Sequence, residues 1–325
     1  MIVPEVEFSK TIIICGPTGS GKSDLAKILA QELNGTIINA DSMQVYEGLR
    51  ILTDRPTQSD EIIVPHKLYG FVDPADSFSV ALWKVHAIRE IKKVLSNGRV
   101  PILVGGTGLY ITALLKGLAP VPEIPHKIRN DVRQLFENIG REEFCRRLNS
   151  LDPIGFSEIQ QKDTHRLLRL YEVVEYSGRT LKEWQGDQGS LSHDTLFDNA
   201  HKFVLAPDRE VLYDKINRRV EMMVDSGVVE EVELFLARNL QNDVAVMKAL
   251  GLREFKDYIS EKYDLEHTVS RIQLATRRYS KRQMTWFRHQ IPSAKRLEGF
   301  GSVLSKLVET IICDANQVDP IQSKD

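Results

Sequence analysis

The chain has 325 residues, a hydrophobic content of 42% and a formal net charge of −2, which favours two domains with ample core to bury. No apolar run approaches the roughly 18 residues of a membrane helix, and the N-terminal segment lacks the basic and apolar regions of a signal peptide, so we expect a cytoplasmic location and no membrane contact. The three cysteines are far apart and show no Cys-x-x-Cys spacing, which argues against a disulfide framework or a zinc site.

The first predicted element is a strand over 11–15 that leads directly into a glycine-rich loop. The loop ends in Gly-Lys-Ser, and residues 23–30 follow with apolar side chains at helical spacing. A strand, a glycine-rich turn and a helix in this order form a phosphate-binding loop, whose N–H groups and helix dipole bind an anion. In such a loop Lys22 reaches the terminal phosphate and the Ser23 hydroxyl ligates Mg²⁺. We therefore predict a di- or triphosphate site, with Mg²⁺ as cofactor, made by Gly16, Pro17, Thr18, Gly19, Ser20, Gly21, Lys22 and Ser23.

Further strand candidates are 36–39, 100–104 and 202–206, with helical patterns between the first three strands. This alternation predicts a parallel sheet with helices on both faces and ligands at the carboxyl ends of the strands. Asp41 and Thr107 follow two strand ends and are expected to face the same ligand as Lys22, although an Asp after a strand is often only a helix N-cap. The third strand ends in Gly105 and not in the aspartate that helps to hold Mg²⁺ in nucleotide hydrolases, which argues against ATPase or GTPase activity.

The composition changes between Pro120 and Asn199, where the chain is charged, helix-forming and poor in β-branched clusters. We predict an α/β fold with a P-loop NTPase-like core in two segments, 1–119 and 201–313. A mostly helical insert over 120–200 interrupts this core, and 314–325 form a flexible tail.

The second core segment contains a long stretch without any acidic residue, between His267 and Leu297. A solvated helix usually mixes both signs of charge, so this block favours an anionic partner. Tyr279, Trp286 and Phe287 are interleaved with the charges, as is typical of nucleic-acid binding. The alternatives are a basic surface helix without a partner and, for Trp286, a core residue that anchors the helix. The basic residues are Arg271, Arg277, Arg278, Lys281, Arg282, Arg288, Lys295 and Arg296.

Taken together, these motifs resemble those of the bacterial tRNA dimethylallyltransferase (tRNA isopentenyltransferase) family. Many enzymes share the phosphate-binding loop, whereas the later blocks make the match specific. The resemblance implies transfer of a dimethylallyl group from dimethylallyl diphosphate to N6 of the tRNA adenosine immediately 3′ of the anticodon. We expect a monomer without an obligate protein partner, since the sequence shows no heptad or apolar stripe. The matching blocks, in family order, are 16–23, 41–46, 64–66, 103–110, 163–169, 215–220 and 281–288.

The resemblance also implies roles for individual residues. The loop would hold the diphosphate leaving group and not ATP, although such loops are typical of nucleotide-binding and ATP-binding proteins. Asp41 would accept the proton of the amine, Thr107 would lie beside the diphosphate and the adenine, and Arg219 would stabilise the departing diphosphate. The base would be flipped out of its stack to react. Positions implied to contact the anticodon stem-loop are Asp41, Ser42, Met43, Gln44, Thr107, Arg129, His165, Arg166, Arg169, Lys248, Gly251, Arg253, Lys281, Arg282, Gln283, Trp286 and Arg288.

The chain departs from the family pattern at three places. Gly19-Ser20 replace an Ala-Ser pair in the loop, and Leu252 stands where the family has a tyrosine. The segment 52–56 reads Leu-Thr-Asp-Arg-Pro in place of Gly-Thr-Ala-Lys-Pro, so an acidic residue, Asp54, precedes the basic one.

Two other classes of function remain open. A small-molecule or nucleoside kinase would share the loop and use Asp41 as base toward a hydroxyl, with Arg166 and Arg169 on ATP. That class leaves the basic stretch unexplained. A tRNA-binding protein without catalysis would explain the basic stretch and leave Asp41 and Thr107 without a role.

Overall fold

The structure is a computed structural model that describes residues 11–186, 195–241, 244–298 and 304–316. The chain folds as two compact units, a core unit with bounds 1–115 and 194–325, and a helical unit with bounds 116–193. The predicted insert, 120–200, thus begins and ends a few residues later than the helical unit. Within the predicted tail, residues 314–316 belong to the last helix, whereas 317–325 lie outside the described residues.

Within the described residues, the core unit contains a six-stranded parallel sheet in the order β3-β2-β4-β1-β5-β6. The four predicted strands are confirmed to within one residue at their ends. β3 and β6 were missed because strands of two or three residues carry no periodicity of their own. The strands are β1 (Ile12–Cys15), β2 (Gly35–Asn39), β3 (His66–Lys67), β4 (Val100–Gly105), β5 (His201–Leu205) and β6 (Lys295–Leu297).

Helices connect and cover these strands, and none that the structure describes combines the length and hydropathy of a membrane-spanning segment. In chain order they are α1 (Lys22–Glu32), α2 (Gln58–Ile63), α3 (Val80–Ser96), α4 (Gly108–Lys116), α5 (His126–Leu151), α6 (Pro153–Ser157), α7 (Thr164–Ser177), α8 (Leu181–Gly186), α9 (Arg209–Asp225), α10 (Val228–Leu236), α11 (Leu252–Ile259), α12 (Leu265–Gln290) and α13 (Leu304–Asn316).

Side chains of the central strand alternate between two apolar clusters, one on each face of the sheet. Ile12 and Ile14 pack with residues of α1 and α13. Ile13 and Cys15 belong to the larger cluster, which includes residues of α3, α4 and α9–α12. Helices therefore lie on both faces of a parallel sheet, and the predicted fold class is confirmed. All carboxyl ends of the strands open toward one edge, where the loop after β1 and the segments after β2 and β4 meet.

The helical unit has an apolar cluster of its own. Its longest helix, α5, is interrupted at Gly140, whose φ of 73° is not helical. Phe144, Leu148 and Leu167 are fully buried in the cluster between α5 and α7. The N-terminus of α7 is capped by Asp163, whose carboxylate accepts a hydrogen bond from the Arg166 N–H.

Candidate active site

The loop between β1 and α1 has the geometry of an anion site. Gly21 occupies the N-cap of α1 with φ 81°, a left-handed conformation that favours glycine, and no side chain of the described residues caps this helix. The N–H groups of the first turn are therefore available to a ligand. Lys22 folds over the loop and its Nζ donates to the Pro17 carbonyl at 2.9 Å. The Ser23 hydroxyl is exposed on the same turn.

A cavity of about 520 Å³ opens beside this loop. Thr18, Gly19, Gly21, Lys22 and Ser23 line it, whereas Gly16, Pro17 and Ser20 are buried beneath the loop surface. Basic side chains from α1 and α9 line the same space, and apolar side chains form another part of its wall. Such a lining fits a small molecule with a phosphate group and an apolar part. The basic residues of the two helices are Lys22, Lys27, Lys215, Arg218 and Arg219, Arg55 adds a further cation, the acidic residues are Asp24, Asp41, Asp54 and Asp60, and the apolar ones include Ile37, Val104 and Met222.

The charges around Lys22 act in opposite directions. Burial lowers the pKa of the Lys22 ammonium to about 8, and the charge of Arg219 acts in the same direction. The carboxylates of Asp41 and Asp54 oppose this shift. Because burial outweighs the two carboxylates, a diphosphate bound in the cavity would favour the charged form of Lys22.

Arg219 lines the same cavity as Lys22, and it has a partner that the resemblance did not imply. Its Nη1 donates to Asp54 Oδ2 at 2.7 Å, while its Nε is buried without a hydrogen-bond partner among the described residues. Asp54 has a φ of 56°, and the Gln44 amide donates to the carbonyls of Thr53 and Asp54 at 2.9 Å each. The sequence signal for this ion pair was Asp54, the acidic residue in the segment 52–56 that departs from the family pattern. That Arg219 is its partner was not predictable from the sequence.

Asp41 is held by its own backbone turn. Its N–H donates to Asn39 Oδ1 at 2.7 Å, and its Oδ1 accepts from the Met43 N–H at 2.9 Å. Asp41 lines the cavity, and within the described residues its Oδ2 accepts no hydrogen bond. Residues 42–45 form bends and turns, so Asp41 caps no helix and that alternative is wrong. Asn39, which sequence reasoning did not select, is fixed by the Leu68 carbonyl and by Trp83 Nε1.

Thr107 lies on the turn after β4 and reaches Asp41 through Ser42. Its Oγ1 accepts from the Ser42 N–H at 2.9 Å and donates to Ser42 Oγ at 3.2 Å. Thr107 does not line the cavity itself. The preceding Gly105 ends β4 so close to β2 that a Cβ there would lie 2.1 Å from the Ala40 carbonyl oxygen.

Helix α12 has one buried and one basic face. Ile272, Thr276 and Phe287 are buried against the core unit at helical spacing. The opposite side, called here the basic face, consists of the exposed residues Arg278, Lys281, Arg282 and Arg288. Within the described residues none of these four side chains forms an ion pair, which is the state expected of a surface that binds phosphates.

Two of the implied tRNA contacts of α12, Gln283 and Trp286, lie outside the basic face. Gln283 is only 5% exposed, and its amide bonds to Thr18 and Gly106. Trp286 is half-buried, packs against the larger apolar cluster, and lies against Gly108. Both side chains thus face the protein interior more than the solvent.

The implied tRNA contacts near the start of α11 differ in their exposure to solvent. Lys248 and Arg253 are exposed, whereas Gly251 is buried, with a φ of 94° at the N-cap of α11. Leu252 is 1% exposed and belongs to the larger apolar cluster. The position where the family has a tyrosine is therefore a core position in this chain.

In the helical unit, the implied tRNA contacts form a basic group around α7. Arg166 and Arg169 line a cavity of about 280 Å³ together with Lys182, which pairs with Glu158. Burial raises the pKa of Glu172, and the charges of Arg169 and Arg129 oppose that shift. The Arg129 Nε is buried without a hydrogen-bond partner among the described residues, and His165 is exposed.

The residues present fit a Mg²⁺ that binds together with a phosphorylated ligand. Within the described residues there is no group of three or more His, Cys, Asp or Glu that could hold a metal ion. Mg²⁺ usually takes one or two protein ligands and fills its shell with water and phosphate oxygens. The exposed Ser23 hydroxyl at the cavity wall is a suitable ligand of this kind.

Fold and site together define a P-loop protein of the α/β class, with a carboxylate beside the phosphate-binding loop and a basic helix in the same unit. The IPP transferase family model matches residues 44–290, and the isopentenyl transferase family model matches residues 9–69. The chain belongs to the IPP transferase family, so the resemblance inferred from the motifs is confirmed.

Individual relatives agree with this assignment. The tRNA dimethylallyltransferase of Azorhizobium caulinodans is 44% identical over 287 residues, which cover 88% of this chain and 91% of that protein. That of Ehrlichia ruminantium is 40% identical and covers 88% and 94%. The solved tRNA isopentenylpyrophosphate transferase of Bacillus halodurans has a TM-score of 0.67 at 30% identity, covering 95% of this chain and 97% of that one. A eukaryotic dimethylallyltransferase acting on tRNA has a TM-score of 0.75 at 26% identity, covering 89% and 73%.

Proposed function

We propose that the protein transfers the dimethylallyl group of dimethylallyl diphosphate to N6 of the tRNA adenosine immediately 3′ of the anticodon. One observation carries the proposal: the same cavity is lined by a phosphate-binding loop and by Asp41, a carboxylate with one oxygen directed to no other group of the described residues. The relatives named above support both the reaction class and the tRNA substrate. The proposed location is the cytoplasm, where tRNA is used, and the proposed state is a monomer.

The donor binds through its diphosphate. The N–H groups at the start of α1, the Lys22 ammonium and the Arg219 guanidinium surround the region where the phosphates lie. Mg²⁺, when bound at Ser23, neutralises part of the diphosphate charge. As the C1–O bond of the donor breaks, the electron pair stays with the diphosphate, and these cationic groups stabilise the growing charge.

The acceptor amine reacts beside Asp41. An exocyclic adenine amine is a weak nucleophile, so a carboxylate within hydrogen-bond reach aids its attack. The N6–C1 bond forms, and the proton released from N6 moves to Asp41 Oδ2. The backbone turn that fixes Oδ1, and the Thr107–Ser42 hydrogen bond behind it, keep this carboxylate in one orientation.

The tRNA binds through exposed basic surfaces. The basic face of α12 supplies four cationic side chains in the core unit, and Lys248 and Arg253 are exposed beside α11. In the helical unit, Arg166 and Arg169 supply a further basic group. Phosphate contacts of this kind give affinity and orientation, whereas base contacts give sequence preference.

One experiment tests both the proposed transfer reaction and the competing kinase activity. Purified protein is incubated with unmodified tRNA and Mg²⁺, and with either dimethylallyl diphosphate or ATP. We expect a tRNA adenosine heavier by one dimethylallyl group in the first reaction, detected by mass spectrometry of the digested tRNA, and no ADP in the second. Formation of ADP at a rate of order 1 s⁻¹ without adenosine modification would replace the proposal by a kinase.

A further inference from the structure

The side-chain amide of Gln283 joins three parts of the core unit: α12, the phosphate-binding loop and the turn after β4. Its Oε1 accepts from the Thr18 N–H at 2.9 Å, and its Nε2 donates to the Gly106 carbonyl at 2.8 Å. These contacts connect positions 265 and 177 residues apart in the sequence. An amide side chain suits the place because it accepts and donates at the same end, and a carboxylate or a thioether does not.

The turn after β4 is shaped to receive α12. A Cβ on Gly106 would lie 2.3 Å from Gln283 Nε2, and a Cβ on Gly108 would lie 2.1 Å from the indole of Trp286. Only residues without a side chain allow this close approach. Thr107 lies between the two glycines, so the helix that carries the basic face packs directly against the turn that carries Thr107.

The same contact restrains the loop. The Thr18 N–H belongs to the phosphate-binding loop, and its bond to Gln283 fixes one peptide group of that loop. Because Gln283 is 5% exposed, loss of the amide would leave a loop donor and a carbonyl without partners in a buried place. A loop that is already held in one conformation loses little conformational entropy when it binds an anion, so its affinity for the anion is higher.

We propose that Gln283 is a positioning residue for the diphosphate site and not a tRNA contact, although it lies on the tRNA-binding helix. It sets the separation between the phosphate-binding loop and the Thr107 turn, and it ties both to the helix whose opposite face binds tRNA. The tRNA part of this assignment rests on the proposed function, whereas the effect on anion binding does not.

Gln283→Met removes both hydrogen bonds at similar volume, and Gln283→Glu keeps the acceptor for Thr18 while removing the donor for Gly106. The matched control is Gln273→Met on the same helix, since Gln273 bonds to Asn217 and Glu221 and not to the loop. Binding of inorganic diphosphate with Mg²⁺ is measured by calorimetry, tRNA affinity is measured at several salt concentrations, and thermal melting gives the folded fraction.

We expect Gln283→Met to weaken diphosphate binding about tenfold, with Gln283→Glu also weaker than the parent protein. The tRNA affinity and its salt dependence should stay unchanged, and Gln273→Met should bind diphosphate as the parent does. Weaker tRNA binding with unchanged diphosphate affinity would overturn the inference, as would a loss of thermal stability alone with native diphosphate affinity in the folded fraction. Diphosphate binding needs no transferase turnover, so failure of the proposed function leaves this test intact.

Discussion

Two groups of cationic side chains in the core unit have opposite environments. In the cavity, Lys22 and Arg219 are half-buried and bonded to the Pro17 carbonyl and to Asp54. On the basic face of α12, Arg278, Arg282 and Arg288 are exposed. A charge in a partly buried site acts strongly on one ligand, whereas an exposed charge acts weakly, nearly additively, and is screened by salt. Substitutions in the cavity should therefore change donor binding and chemistry, and those on the face should change tRNA affinity alone.

The largest effect is expected at the carboxylate of the cavity. Asp41→Asn keeps the size and one acceptor but takes no proton, so the single-turnover transfer rate should fall about 10²- to 10⁴-fold while tRNA still binds. Asp24→Asn is a matched control, because Asp24 lines the same cavity and pairs with Lys27. A near-native single-turnover rate in Asp41→Asn would remove the role assigned to this residue.

The next effect concerns Lys22 and pH. Lys22→Ala should raise the donor KM about ten- to hundredfold, because a charged hydrogen-bond donor is lost, and excess ATP should not support turnover in any variant. In the unliganded protein the pKa of Lys22 is about 8, so the ammonium form predominates below pH 8. An anionic donor binds this form, so donor affinity should fall as pH rises above 8.

Donor affinity measured between pH 6 and 10 checks this, with Lys22→Arg as the comparison. Arginine stays charged over that range, so its profile should be flat near pH 8. If the plot of donor affinity against pH for Lys22→Arg keeps the same inflection near pH 8, the titrating group is not Lys22.

A smaller effect is expected on the basic face. Arg282→Ala should weaken tRNA binding severalfold at low salt, and it should flatten the plot of log K against log salt by about 0.7 to 0.9 if one phosphate contact is lost. Donor affinity should not change. Arg89→Ala, an exposed arginine beside Glu90 on α3, controls for the loss of net charge. Native tRNA affinity of Arg282→Ala at every salt concentration would contradict the role of the basic face.

The smallest effect is expected at the ion pair between Arg219 and Asp54 in the cavity. Asp54 holds Arg219 with its carboxylate and repels an incoming diphosphate, so Asp54→Asn should lower the donor KM about two- to fivefold, as is typical for a partly exposed ion pair. Donor KM at low ionic strength measures the change. A rise in the donor KM would show that Asp54 assists donor binding. The expected repulsion between Asp54 and the diphosphate would then be wrong.

Local patterns made the central strands and the phosphate-binding loop predictable, since β1 is a short apolar run that leads into the Gly-Lys-Ser loop and α1 follows with apolar residues at helical spacing. The packing of Trp286 against the core was one of two open readings, whereas the contacts of Gln283 were not predictable, because periodicity shows that a helix face is buried and not which buried polar group bridges to a distant loop. The Asp54–Arg219 pair was hidden for the same reason: its members are 165 residues apart. β3 and β6 have two and three residues, too few for the alternation of side chains that indicates a strand in a sequence.

The close packing at Gly105 limits which side chains the end of β4 can carry. Nucleotide hydrolases of related architecture place a metal-holding aspartate at the end of a core strand, and β4 is the strand where this chain has glycine instead. A side chain at Gly105 would collide with the Ala40 backbone, 2.1 Å from its oxygen and 2.2 Å from its carbonyl carbon. Any backbone shift that made room would move Asp41, the next residue along. A metal-holding aspartate at position 105 would therefore be difficult to combine with the proposed proton acceptor at position 41.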